Sequence, residues 1–532
     1  MRIRLKLIPV SFLVLTMTFG ACSARADYPI VSQRYAADPA GLEFNGRLYL
    51  YCSNDDDNST NNYIMHSITC FSTDDLKNWT DHGVVLSVPA NASWANLAWA
   101  PSAVSNNNIV YLYFANGAGT IGVTTSSVPS GPFNDARGSP LISGSTPGAS
   151  TPTQWLFDPC AFIDDDGTPY VYFGGQYPTN ARVIRLGANL TSVAGSAMPV
   201  FATNFFEASY MHKRGGIYYF TYCNRFEVGA AIYCETNSNP TNGFVPEGVV
   251  LPNPPTNVFN NNHQAIVGYQ GNWYIAYHNR SVAKQNGLSD SDAVYKRSLC
   301  LDKVNYNANG SMQQVTATTD GLTQLKNLNP YTRVEGETIA KEIGIKTEVC
   351  GEGGLDVAYV TNGSWIRVRG VDFGSGASVF YARVASAGSG GNIELHLDSL
   401  SGTLAGTCPV APTGGWQTWT TTNCSVSGAS GVHDLYFKFT GGAGNLFNVN
   451  WWEFQSGALA DSPSITVSAT GSNLTLSWPL AYSGFTLQSA TSLAAGDWVN
   501  VTSPSPQMVG IEWQVTLPLD ANVDATFYRL FK

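Results

Sequence analysis

Three acidic residues recur at matching places along the chain: Asp38 in ADPAGLEFNGRLYLY, Asp158 in FDPCAFIDDDGTPYVYF and Glu207 in FEASYMHKRGGIYYFTY. Each heads an apolar stretch that runs through a Gly or Asn turn into an aromatic strand. Two carboxyl groups on opposite sides of an acetal can hydrolyse a glycoside, one protonating the leaving oxygen and the other serving as base or nucleophile. A third carboxylate close by would raise the pKa of one neighbour and keep it protonated near neutral pH. Taken singly, Asp38 and Asp158 precede Pro and read as turn residues. Three acids at equivalent positions make that plain reading insufficient.

The acids meet only if the elements carrying them repeat. WAPSAVSNNNIVYLYFA from Trp99 and NHQAIVGYQGNWYIAYH from Asn262 share the layout. With Asp38, Trp99, Asp158, Glu207 and His263 as openers, the spacings are 61, 59, 49 and 56 residues, periods expected of solenoids or propellers. Period-two alternation in RLYLY, IVYLYF, PYVYF and WYIAY predicts strands, with NG, DG and GG at hairpin turns. Five such units predict an all-β, five-bladed β-propeller, whose innermost strands line a central channel where equivalent positions converge.

Composition narrows the classes. Of 532 residues, 44% are hydrophobic and only 12% charged, with 52 Gly and 26 Tyr, as suits turn-rich β structure and not disorder. A net charge of −10 without a Lys/Arg cluster excludes an electrostatic nucleic-acid footprint. The start MRIRLKLIPVSFLVLTMTFGACSARA has a basic head, an apolar run and a small-residue end, predicting a secretory signal with the mature chain from Asp27, secreted or periplasmic. A lipid anchor at Cys22 is the second reading. No later run is long and apolar enough to span a bilayer. Export permits disulfides, and hairpin spacing suggests Cys52 with Cys70, Cys223 with Cys234 and Cys408 with Cys424. The acidic runs Asp55 to Asp57 and Asp164 to Asp166 lack the alternation of an EF-hand and read as solvated turns.

The predicted domains are a signal over 1–26, the propeller over 27–328, a Gly-rich jelly-roll β-sandwich over 329–457 after a connector, and a small immunoglobulin-like β-sandwich over 458–532. The last carries no evident chemistry.

Across residues 28–330, ADPA, WAPSAV, WLFDPCAFIDDDGTPYVYFGG, ARVIRLGANLTSVAGSAM, FFEASYMHKRGGIYYFTY and NNNHQAIVGYQGNWYIAYH resemble glycoside hydrolase family 43, and within it the arabinoxylan arabinofuranohydrolases. The resemblance implies hydrolysis with inversion: Asp38 as general base, Glu207 as general acid, and Asp158 tuning the acid's pKa and orienting it or the sugar. Relatives follow the acid with Asp or Gly where this chain has Ala208. His263 matches a histidine that helps hold a hydrated ion, often calcium; the plain reading is a structural histidine. Arg297 matches a substrate-side arginine, with a surface ion pair as its plain reading. Trp99 falls where an aromatic pocket wall is expected, and Trp94 there or in packing.

RVEGETIA, AYVTNGSWIRV, GGWQTW and GNLFNVNWWEF resemble carbohydrate-binding module family 6. This implies calcium held by Glu335, Glu337 and Asn450, and a sugar clasped by Tyr359 and Trp416 with Asn448 as a polar contact. The chain is thus expected to be a monomeric enzyme removing α-L-arabinofuranosyl branches from arabinoxylan. The alternatives are β-xylosidase or arabinanase activity, or a propeller that binds glycan without cutting it.

Overall fold

The computed structural model describes residues 29–531 apart from 60–61, 151–153, 258–260, 319, 458–462, 483–484, 494–496, 511 and 520–524. The expected signal and Cys22 lie outside the described residues. Helix is confined among them to short segments such as Ser281–Gln285 and Asp290–Ala293, and strands carry the rest of the architecture.

Up to Val304 the strands form five antiparallel sheets in chain order, opening with Ala36–Phe44, Trp99–Asn106, Cys160–Ile163, Phe205–Arg214 and Gln264–Tyr269. The turn residues explain the hairpins. Phe44 pairs Arg47 across Asn45 and Gly46, whose φ values of 51° and 78° are those of a type I′ turn. Asn107 with Asn108, Gly215 with Gly216 and Gln270 with Gly271 repeat it, so two of the recurrent turns carry no NG, DG or GG signal.

Burial forces the sheets together. The inner strands hide apolar residues on both faces, and five apolar clusters lie between consecutive sheets: Tyr51 and Ile68 against Leu112 and Phe114, Ile121 and Val123 against Val171 and Phe173, Tyr172 against Phe205 and Phe220, and Tyr219 and Ile232 against Ile275 and Tyr277. The fifth cluster joins Leu48, Leu50 and Phe71 of the first sheet to Ala265, Ala276 and Leu299 of the last. The succession therefore returns to its start. The amino-terminal segment closes it, with Ile30 N–H donating to Leu299 C=O at 2.9 Å and Ala36 N–H to Arg297 C=O at 3.0 Å.

Beyond residue 331 two sheets stack around Val368, Phe380, Leu395, Phe437 and Trp452, one built on Ala377–Ser386 and Asn448–Ser456, the other on Trp365–Asp372 and Val432–Gly441. A smaller pair of sheets follows Thr466 around Leu476, Trp478, Leu487 and Val515, and Leu480 packs on Tyr381 and Trp451 of the preceding sandwich.

The sandwich is not joined to the first body by a connector alone. Thr338–Ile339 pairs antiparallel with Trp79–Ser87 and adds a fifth strand to the first sheet. Behind it Asp81, fully buried, accepts Arg34 Nε at 2.9 Å, Gln33 Nε2 at 3.2 Å and Thr347 Oγ1 at 2.9 Å, while Asn78 exchanges two hydrogen bonds with the Arg369 backbone.

The cysteines depart from expectation. All nine described cysteines are thiols. Cys52 faces Thr69 and Cys70 faces Tyr51 in the strand register, one residue out of step, so their side chains leave opposite faces of the sheet. Cys223 and Cys234 are diagonal neighbours, offset by two residues, at a spacing of about 7–8 Å that exceeds disulfide reach. Cys408 and Cys424 do touch, thiol to thiol.

Candidate active site

The Asp-Pro dipeptides place the acids. Asp38 adopts a left-handed φ of 48° ahead of Pro39, and the register of its strand slips between Ala37 and Ala40. Ala100 does the same before Pro101 (φ 39°) and Asp158 before Pro159 (φ 49°), while Ala208 follows Glu207 at φ 61° with register slips on both sides of Glu207. Proline cannot donate to the ladder, and a bulge re-aims the side chain beside it. A left-handed residue recurs in four sheets, before proline in three of them, and the first strands end in one cleft of about 460 Å³, lined by Asp38, Asp158, Glu207, His263, Arg297 and Trp99. Left-handed conformations cost non-glycine residues, and side chains secure three of the four: Asp38 N–H donates to His278 Nδ1 at 3.1 Å, Ala100 N–H to Ser53 Oγ at 2.8 Å and Ala208 N–H to Asp158 Oδ2 at 2.9 Å.

Electrostatics separates the acids. Asp38 is buried, which alone would raise its pKa, but Arg297 Nη1 donates to its Oδ1 at 2.6 Å, and this cation, with a Ser53 hydrogen bond, holds it well below the usual carboxylate range. Among the described residues no cation hydrogen-bonds Glu207. Burial, then the negative charges of Asp158 and Asp38, push it well above the ordinary glutamate value, with Arg297 offsetting only part. Asp158 is raised as well, by burial and by Asp38, against the Ala208 N–H and Arg297. Asp38 is thus held toward its ionised form, and Glu207 and Asp158 toward their protonated forms, across a single cleft, the contrast that general base and general acid require.

Arg297 was expected to face substrate. It lines the cleft, but it is 1% exposed and its other nitrogens are held by Asp55, Nε to Oδ2 at 2.9 Å and Nη2 to Oδ1 at 2.7 Å. Asp55 itself corrects a second expectation. It is not a solvated turn residue but 4% exposed, the counter-ion that fixes Arg297. Asp164 likewise accepts Lys213 and Tyr218, at 2.7 and 2.6 Å.

His263 lies 3.6 Å from Asp38 and 3.8 Å from Asp158, and burial, against Asp38 but with Arg297, lowers its pKa to about 4. No three His, Cys, Asp or Glu side chains among the described residues are grouped to hold a metal. Trp94 donates to Asp135 Oδ2 at 2.8 Å and stacks on Phe114, outside the cleft. Two aromatic walls had escaped sequence reading. Tyr63 and Tyr295 meet edge to face at 4.7 Å beside Arg297, and Trp155, Phe206 and Phe226 form a chain of ring contacts on the Glu207 side. Tyr63 and Tyr295 sit in loops without repeat signal, whereas Trp155 and Phe206 flank the acids in sequence.

In the sandwich, Asn448 Nδ2 donates to the Trp416 carbonyl at 3.2 Å and to Glu348 Oε1 at 2.8 Å. Val357 pairs Val449, bringing Tyr359 to the same end; Tyr359 and Trp416 are 53% and 37% exposed, so neither is core. Glu337 and Asn450 each keep a buried side-chain oxygen without a partner, while Glu335 is engaged by Arg333 at 2.8 Å. Such orphaned oxygens fit a hard cation.

Comparison with known proteins bears on the same regions. Residues 26–312 match Glycosyl hydrolases family 43, and residues 335–456 match Carbohydrate binding module (family 6). An arabinoxylan arabinofuranohydrolase of Bacillus subtilis is 41% identical over 477 residues, covering 80% of this chain and 92% of that protein, and one of Paenibacillus polymyxa is 39% identical over 478 residues, covering 80% and 74%. A crystal structure of a Bacillus subtilis glycoside hydrolase family 43 arabinoxylan arabinofuranohydrolase in complex with cellotetraose superposes with a TM-score of 0.75 at 40% identity, covering 82% of this chain and 98% of that one.

Proposed function

The chain belongs to glycosyl hydrolases family 43, and on that premise we propose that it is an exported, inverting arabinofuranosidase that takes α-L-arabinofuranosyl branches off arabinoxylan. The observation that carries this is the convergence of Asp38, Asp158 and Glu207 in one cleft, with Arg297 on the first and the Ala208 N–H on the second. The five sheets and the cluster that links last to first support a five-bladed propeller.

In this reading Glu207, protonated, donates to the departing glycosidic oxygen, and Asp38, ionised, removes a proton from the water that attacks the anomeric carbon from the other face. The carboxyls then stand roughly 6.5–9.5 Å apart. Asp158 fixes the peptide after Glu207 through the Ala208 N–H, and the shared burial of the two carboxyls disfavours ionising both. Neutral His263 fills the floor between Asp38 and Asp158. The aromatic chain from Trp155 to Phe226 lies on the acid's side, where the leaving xylosyl main chain stacks.

Tyr359, Trp416 and Asn448 hold the polysaccharide at a tethered second point, which raises local substrate concentration. Calcium at Glu335, Glu337 and Asn450 would satisfy the orphaned oxygens and hold the two strands of the sandwich together. The enzyme acts as a monomer released by its signal.

Arabinose release from arabinoxylan tests the reading. The wild-type chain should liberate arabinose, and Glu207→Gln and Asp38→Asn should each lose about 10²–10⁴-fold in rate. Xylose or arabinan fragments as the main product would overturn the substrate, and full activity in either variant would overturn the assignment of the acids.

A further inference from the structure

We infer that His278 is a positioning residue for Asp38, clamping the strained Asp38–Pro39 peptide so that the carboxylate stays on Arg297 and at the reacting centre; the inference rests on Asp38 being the base. His278 is the penultimate residue of the strand Asn272–Asn279 and is completely buried. Its Nδ1 accepts the Asp38 N–H at 3.1 Å, and its Nε2 lies 2.8 Å from the Asn261 carbonyl oxygen. A carbonyl only accepts, so the proton must sit on Nε2 and leave Nδ1 with a lone pair. One neutral tautomer satisfies both bonds, and any rotation of the ring orphans two buried groups. Burial and the neighbouring Arg297 and Arg280 favour that neutral form.

The clamp matters because of what it holds. Asp38 combines a left-handed φ with a following proline, a position where sterics disfavour the conformation, and Pro39 has no N–H to restore the broken ladder. Ala100, which also precedes proline, is met by Ser53, and the left-handed Ala208 by Asp158, so a side-chain acceptor under the left-handed residue recurs around the cleft. At Asp38 the acceptor is itself fixed from behind, since Asn261 Oδ1 accepts Arg280 Nη2 at 2.7 Å and Arg280 reaches the Val294 carbonyl at 2.9 Å. His278 Nδ1 also stands 3.4 Å from Asp38 Oδ1; lone pair against carboxylate, it turns that oxygen toward Arg297.

The test uses His278→Asn, His278→Gln and His278→Phe in the full chain, with Asp38→Asn alongside, on an aryl α-L-arabinofuranoside. An Asn oxygen falls near the place of Nδ1 and keeps the Asp38 bond, whereas a Gln amide reaches only the Nε2 side. Displacing a reacting group by about an ångström costs on the order of 10²-fold, so Gln and Phe should lower kcat by about 10–100-fold with KM within about threefold, and Asn should restore kcat to within about threefold of wild type. If Phe does not fold, the Asn and Gln pair decides. Gln at wild-type kcat, or Asn no better than Gln with kcat tracking the folded fraction in melting curves, overturns the clamp. Asp38→Asn at full activity overturns the base assignment and the clamp with it; Asp38→Asn inactive beside a fully active Gln variant overturns the clamp alone.

Discussion

Arg297 donates to Asp38 at 2.6 Å while the rest of its guanidinium is gripped by Asp55, so one buried cation sets both the charge and the place of the base. Replacing Arg297 by Gln should therefore change the pH profile and not only the rate. Burial acts most strongly on Asp38 and would raise its pKa, and Arg297 is the largest of the partners that together bring it below the ordinary aspartate value of 3.8; without the cation burial weighs more and the pKa rises. The acidic limb of kcat/KM should move to higher pH, with a fall of about 10²-fold at the optimum. A slower enzyme with an unmoved acidic limb would mean that Arg297 does not govern Asp38.

The acid is held protonated at a cost to stability. Glu207 has a folded-state pKa above its unfolded value of 4.5, so the folded protein binds more protons than the unfolded one and stability falls as pH rises above about 4.5. Glu207→Gln removes a titration of this sign. It should raise Tm at pH 7, by a few degrees, and the gain should shrink toward pH 4. Melting curves at the two pH values check this, and an equal change at both would contradict it.

Asp81 joins the two bodies from a fully buried position, accepting from Arg34, Gln33 and Thr347. Removing its charge leaves a largely buried guanidinium unpaired, which typically costs about 3 kcal/mol. Asp81→Ala should lower Tm of the whole chain in one transition, since Thr338–Ile339 adds a strand to the first sheet. Two separate transitions in calorimetry would show that the domains do not share this interface.

Trp416 and Tyr359 stand exposed at the end of the sandwich where Asn448 is held. Alanine at either should weaken binding to insoluble arabinoxylan by about 10-fold, since stacked aromatics contribute about 1 kcal/mol or more beyond area. Turnover of a small aryl arabinofuranoside should stay unchanged.

What was legible in the sequence was what repeats. The openers recur at regular spacing, so the sheets, their order and the meeting of Asp38, Asp158 and Glu207 could be read before any coordinates. Asp55 and His278 could not, because each acts on a residue of another sheet and neither occupies an opener position; Asp55 even hides in an acidic run. The disulfide expectation failed for a related reason. Flanking a hairpin does not fix which face a side chain leaves, and a one-residue offset parts Cys52 from Cys70. Thiol titration of denatured, unreduced protein should count all nine described cysteines as free; seven would mean that Cys408 and Cys424, which touch, are bridged.

Inversion is the central claim, because it requires Asp38 to act through water and not as nucleophile. Proton NMR of arabinoxylan during the first minutes of reaction reads it directly. Released arabinose should appear first as the β-furanose and only later as the mutarotated mixture. Prompt appearance of α-arabinofuranose would mean retention through a covalent intermediate, and would contradict the roles given to Asp38 and Glu207.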